Sequence, residues 1–179
     1  DTASLAAAAD PTSNIVLVPA FTGLGAPHWK PDARAALFNM TRDTGRAEIV
    51  RAALEAVSLQ TDDLLRAIND DMAHAGLSVP PRLRVDGGMV ANDWFVQNLA
   101  DLCACPIDRP EVIETTAAGA AMLAMVKLGW YDSPAEFAAS WQLNAAFEPS
   151  MPETQRAHKQ RAWQGALEPI LRGAEPSGN

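Results

Sequence analysis

Six apolar residues, Val50, Leu54, Val57, Leu64, Ile68 and Met72, recur at steps of three, four and seven along one segment. At 3.6 residues per turn these steps place all six side chains on one stripe of a helix. The spacing predicts a helix from Thr44, as its N-cap, to about Gly76, its C-terminal stop. A stripe of that length requires other elements to cover it, so the chain must fold in layers.

The covering elements read as short apolar strands set between helices. Ile15–Val18 is a continuous apolar strand, Ala35–Met40 a second short one, and Leu83–Val85 a third. Pro106–Arg109 is a further extended piece. Helices are predicted over Ala91–Leu102 and Thr115–Leu128, with a short one inside Ser133–Trp141. Ser150 and Glu153 have capping-box spacing for a last helix that ends near Gly173 and is bent by Pro169. Helices alternating with short strands predict an α/β fold with a mostly parallel sheet. Residues 1–14 read as an upstream remnant or linker, 15–173 as the domain and 174–179 as a frayed tail.

At 179 residues, 48% hydrophobic and 20% charged, with mean hydropathy −0.07, the composition is that of one soluble globular domain. A net charge of −8 and a pI near 4.8 argue against binding nucleic acid or an anionic membrane. No apolar run is long enough to span a membrane, and no basic n-region precedes an apolar stretch, so a cytoplasmic location is expected. Cys103 and Cys105, two apart and without a nearby histidine, read as reduced packing residues.

The candidate chemistry lies in Leu83-Arg84-Val85-Asp86-Gly87-Gly88-Met89-Val90-Ala91-Asn92. A strand that runs through two glycines onto a helix start lets backbone approach a nucleotide closely, although the same pattern also makes an ordinary strand-to-helix turn. Gly23-Leu24-Gly25 matches neither a P-loop nor a dinucleotide fingerprint and reads as a turn-rich loop tied down by Trp29. Asp62, Asp63, Asp70 and Asp71 raise the question of a cation site, but their helical placement and the Asp62–Arg66 spacing favour a solvated face. His28, His74 and His158 are scattered; His28 alone sits in a functional-looking loop, and His74 is placed to complement a helix dipole. Trp130, Tyr131 and Trp141 are better read as packing around a short helix than as a stacking platform.

Four segments together resemble the C-terminal domain of sugar kinases of the FGGY family, and within it the glycerol-phosphorylating branch. They are Val18-Pro19-Ala20-Phe21-Thr22-Gly23-Leu24-Gly25-Ala26-Pro27-His28-Trp29 with Pro31-Asp32-Ala33-Arg34; Arg51-Ala52-Ala53-Leu54-Glu55-Ala56-Val57 with Gln60-Thr61; Arg84-Val85-Asp86-Gly87-Gly88 with Ala91-Asn92; and Asp108-Arg109-Pro110-Glu111 with Thr115-Thr116-Ala117-Ala118-Gly119-Ala120-Ala121. The resemblance runs from about Ile15 to Arg172. His28 stands where the family usually has Tyr, Ala35 for Gly, Leu59 for an aromatic residue and Asp62 for Arg.

The resemblance implies an actin-like, ribonuclease-H-like ATPase fold: the second domain of a two-domain kinase, here without its first strands. It implies ATP with Mg²⁺ as cofactors and Gly87, Gly88 and Asn92 as adenine-nucleotide contacts. Gly88 and Asn92 match the family's motif, and Gly87 serves through its backbone. It implies glycerol bound by the missing N-terminal domain, together with the catalytic base, and a dimer or tetramer of the full-length protein. The implied reaction is ATP plus glycerol giving ADP plus sn-glycerol 3-phosphate, with the 179-residue chain inactive alone. Two alternatives stay open: an FGGY kinase for another sugar or polyol such as xylulose, and a non-catalytic nucleotide-binding or interaction domain.

Overall fold

The structure, a computed structural model, describes residues 1–139 and 141–173; the predicted tail at 174–179 lies outside the described residues. Helix α1 (Thr2–Ala8) leads to a two-stranded antiparallel sheet of β1 (Val16–Val18) and β2 (Ala36–Phe38), and then to the long helix α2 (Arg46–His74). Strand β3 (Leu83–Arg84), a 3₁₀ turn (Gly88–Ala91), α3 (Asp93–Cys103) and β4 (Ile107–Pro110) follow. The chain closes with α4 (Thr115–Lys127), α5 (Pro134–Ala138), β5 (Leu143–Phe147) and α6 (Glu153–Gly173).

Helix α2 begins one residue later than the sequence suggests. Gly45 is its N-cap, and the Thr44 hydroxyl instead accepts from the Thr41 amide at 2.9 Å. Glu48 does the work of a cap by accepting from Gly45 N at 2.9 Å and from Asp10 N at 3.0 Å, which ties the turn after α1 to the start of α2. At the far end Gly76 adopts φ +68, and Leu77 N donates back to Met72 O at 2.9 Å, a Schellman-type stop. The predicted stripe is covered only in its first half, since Leu64 and Ile68 are exposed.

The expected mostly parallel sheet is not what forms. Among the described residues only β3–β4 is parallel, because α3 carries the chain across between them. Strand β2 returns beside β1 without a crossover helix, and α4 with α5 bring the chain back so that β5 pairs antiparallel to β4. The β3–β4–β5 sheet thus ends on a strand that the sequence did not announce.

Two apolar clusters meet along α2. One joins Val16 and Val18 of β1 to Ala56 and Leu59 of α2 and to Trp163, Ala166 and Leu167 of α6. The other sets Phe95, Val96 and Leu99 of α3 on Ile107 of β4, with Leu54 and Val57 of α2 against them. Asp101 fixes the entry to α6 by accepting from Ser150 N at 2.6 Å and Met151 N at 3.1 Å. Ser150 is therefore not the predicted cap: its hydroxyl also turns to Asp101, at 3.2 Å. Helix α6 continues through Pro169.

Candidate nucleotide-binding turn

After β3 the chain needs a sharp change of direction, and Gly87 supplies it with φ +89, a conformation that strains any residue bearing a Cβ. Its amide donates to Ile113 O at 2.8 Å, which anchors the turn to the segment entering α4. The 3₁₀ turn follows, with Val90 buried in the second cluster. The helix expected from Ala91 starts instead at Asp93, and Asn92 is its N-cap rather than a residue within it. Asn92 Oδ1 accepts from Phe95 N at 3.1 Å, so only the amide NH₂ remains to meet a ligand; it lies 3.3 Å from the Thr2 hydroxyl.

Arg109 of β4 braces the turn from behind, donating to Val90 O at 2.8 Å and to Asp93 Oδ1 at 2.6 Å. Its position in the fourth resembling segment was the only sequence signal for this role. In front of the turn lies an open depression of about 630 Å³, lined by Gly88, Met89, Asn92 and Trp94 with Leu54 of α2 and Thr2 of α1. A Cβ built on Gly87 or Gly88 meets no atom within 4 Å, so at both positions the backbone is bare to open space. That is what close approach of a flat ligand requires. Among the described residues no group of three or more His, Cys, Asp or Glu is placed to hold a metal ion.

Of the four aspartates of α2, Asp70 and Asp71 are exposed as the sequence suggests, and two correct that reading. Asp62 and Asp63 are buried rather than solvated, because α6 lies over them. Asp63 Oδ2 accepts from Trp163 Nε1 at 2.7 Å and sits 3.3 Å from His28 Nε2, while Oδ1 accepts from Gln164 Nε2 at 2.9 Å. Asp62 does pair with Arg66 as its spacing suggests, at 2.9 Å, and also accepts from Gln160 at 2.9 Å. Burial nevertheless pushes its carboxyl above the ordinary range. Two helix turns earlier on the same side, Glu55 accepts from Arg51 at 2.9 Å and from Lys159 at 2.7 Å.

The glycine-rich loop after β1 is held by Leu24 and His28, not by Trp29. Leu24 and Lys30 exchange backbone hydrogen bonds at 2.8 and 2.9 Å, Leu24 is buried, and the Trp29 side chain is 73% exposed. Gly23 is obligatory there: at φ +95 an added Cβ would stand 2.7 Å from the Pro31 backbone. His74 Nδ1 lies 2.7 Å from Asp70 O at the end of α2. Tyr131 meets Phe137 of α5 edge-on and Trp141 lies under the Arg84 guanidinium at 4.1 Å, whereas Trp130 is exposed. Both cysteines are free thiols, and burial pushes that of Cys103 upward, away from reactivity.

The chain is a mixed α/β domain with a glycine turn feeding a capped helix, and comparison with known proteins identifies its family. Residues 1–128 match the FGGY family of carbohydrate kinases, C-terminal domain, and the chain belongs to that family. It is 52% identical over 174 residues to a glycerol kinase of Sinorhizobium fredii, covering 97% of this chain and 35% of that protein. A glycerol kinase of Rhizobium meliloti is 53% identical over 171 residues, covering 96% and 34%. The chain thus spans about a third of the length of these relatives.

Among solved structures, Plasmodium falciparum glycerol kinase with ADP superimposes with a TM-score of 0.79 at 33% identity, over 95% of this chain and 33% of that one. A ligand-bound xylulose kinase from Lactobacillus acidophilus gives 0.76 at 22% identity, over 98% and 34%, which speaks to the fold alone. The fold is accordingly that of the second domain of the actin-like sugar kinases. Among the described residues no helix is long and apolar enough to cross a membrane.

Proposed function

We propose that this chain is the adenosine-binding side of a cytoplasmic, ATP-dependent glycerol kinase that converts ATP and glycerol to ADP and sn-glycerol 3-phosphate. The observation that carries the reading is the turn itself: Gly88 and Asn92 line the depression, and no atom stands within 4 Å of a Cβ built on Gly87 or Gly88. The likeness to a glycerol kinase holding ADP supports it, as does about 52% identity to bacterial glycerol kinases.

In this reading the Gly87–Gly88 backbone lies flat against the base or ribose, and Asn92 donates one hydrogen bond to the nucleoside. Helix α3, rigid on the second cluster, fixes the position of both. When bound, MgATP supplies the phosphoryl group, and the metal travels with the phosphates. Residues 15–173 are proposed as the working domain, with the catalytic base and glycerol contacts outside the third that matches the relatives. Domain closure then brings the two halves together, and the full-length enzyme works as a dimer or tetramer.

One substitution at Asn92 tests this in the full-length kinase. Asn92→Asp keeps the cap to Phe95, since aspartate caps as well as asparagine, but removes the NH₂ donor. It is expected to raise the KM for ATP about ten-fold, the value of one lost ligand hydrogen bond, with the KM for glycerol and thermal stability unchanged. An ATP KM that stays at the wild-type value removes Asn92 from the nucleotide site. The 179-residue chain alone is expected to release no ADP in response to glycerol.

A further inference from the structure

Asn92 stands at a joint. It is at once the C-cap of the 3₁₀ turn and the N-cap of α3, and its own backbone is extended, at φ −89 and ψ 104. Two helical pieces joined through one extended residue can rock against each other unless something spans the joint. Arg109 spans it. Its Nη1 donates to Val90 O at 2.8 Å on the near side and to Asp93 Oδ1 at 2.6 Å on the far side.

The base from which Arg109 reaches is itself fixed. It belongs to β4, the middle strand of its sheet, which pairs with β3 on one side and β5 on the other. Its Nε donates to Asn144 Oδ1 of β5 at 3.0 Å, and its guanidinium carbon lies 5.3 Å from the centre of the Phe147 ring. The register of β4 against β5 slips between Arg109 and Pro110, an irregularity of the kind that re-aims a side chain. The Arg109 side chain is only 13% exposed, and it does not line the depression in front of the turn. Arg109 therefore touches no ligand there, and its effect on one must pass through the residues it holds.

We propose that Arg109 is the positioning residue of the nucleotide site: it keeps the Gly88 backbone and the Asn92 amide in one fixed relation, so that both meet the nucleoside at once. The proposal rests on the reading of this turn as the adenosine contact. A guanidinium suits the task because Val90 O, Asp93 Oδ1 and Asn144 Oδ1 are met together by one planar fork. An ammonium supplies the charge without that fork. A small misplacement of a positioning group is enough to weaken binding well beyond its own contacts.

The test measures steady-state kinetics in the full-length kinase for Arg109→Met, Arg109→Lys, Asn92→Asp and the double variant Arg109→Met/Asn92→Asp. Arg109→Met is expected to raise the KM for ATP about ten-fold or more, with the KM for glycerol unchanged. Arg109→Lys is expected to raise it about three-fold at an unchanged melting temperature. Because Arg109 acts through Asn92, the double variant is expected to stay within about two-fold of Arg109→Met, whereas independent losses would multiply to about a hundred-fold. A purely structural role would give that multiplied loss, and it overturns the proposal. So does an ATP KM at the wild-type value in Arg109→Met or, should that variant not fold, in Arg109→Lys. An unchanged ATP KM in Asn92→Asp removes the nucleotide reading and this proposal together. A raised value there, beside an unchanged one in Arg109→Met, removes this proposal alone.

Discussion

Trp163 Nε1 donates to Asp63 Oδ2 at 2.7 Å across 100 positions of sequence. The bond is buried at both ends and joins the last helix to the longest one. His28 and Gln164 share the same carboxylate, so one side chain of α2 ties down both α6 and the glycine-rich loop.

Removing that carboxylate should cost far more than a surface charge would. Asp63→Ala strands the Trp163 indole N–H in the core and frees His28, and is expected to lower unfolding free energy by about 2–4 kcal/mol. Chemical denaturation followed by tryptophan fluorescence measures it. A loss within about 0.5 kcal/mol, the size of a surface substitution, would mean the indole finds another partner.

Asp62 makes stability depend on pH in the direction opposite to a paired surface carboxylate. Burial raises its pKa in the folded state, while in the unfolded chain the carboxyl ionises near 3.8. Between the two values the folded state holds a proton that the unfolded state has released, so stability falls as pH rises through that window. Asp62→Asn cannot ionise and still offers Arg66 and Gln160 an acceptor. Its stability relative to wild type is therefore expected to rise as pH climbs from below 3.8 to neutrality. Asp108 runs the other way: its bonds from Arg82 hold it below the ordinary range, so its contribution is lost in acid. That contribution is common to both proteins and cancels in the comparison. Parallel melting curves across pH would refute the assignment.

The two glycines of the turn should separate folding from binding. Gly87→Ala is forced into φ +89 and is expected to destabilise by about 1–2 kcal/mol. Gly88→Ala has an ordinary φ and open space before it, so its melting temperature should match wild type while the full-length kinase loses ATP affinity. Equal ATP affinity in Gly88→Ala would place the base elsewhere.

What could be read beforehand and what could not divides along local and distant interactions. The periodicity of α2, the strand at Leu83 and the glycine turn are local, and each lies within a few residues of its predicted place. The burial of Asp62 and Asp63 was illegible because their partners Gln160, Trp163 and Gln164 lie about a hundred residues away. Strand β5 was missed because Leu-Asn-Ala-Ala-Phe carries no β-branched residue; pairing with β4 alone makes it a strand. Asn92 was legible as a residue of interest but not as a cap, since capping depends on where the 3₁₀ turn hands over to α3.

The shared cluster of β1 and α6 has a consequence for synthesis. Val18 is translated some 145 residues ahead of Trp163, which with Leu167 covers it. Lys159, which joins Arg51 on the buried Glu55, follows that residue by 104 positions. The nascent chain thus carries an open apolar strand until α6 is made. The cluster around β1 therefore closes only once α6 has been made.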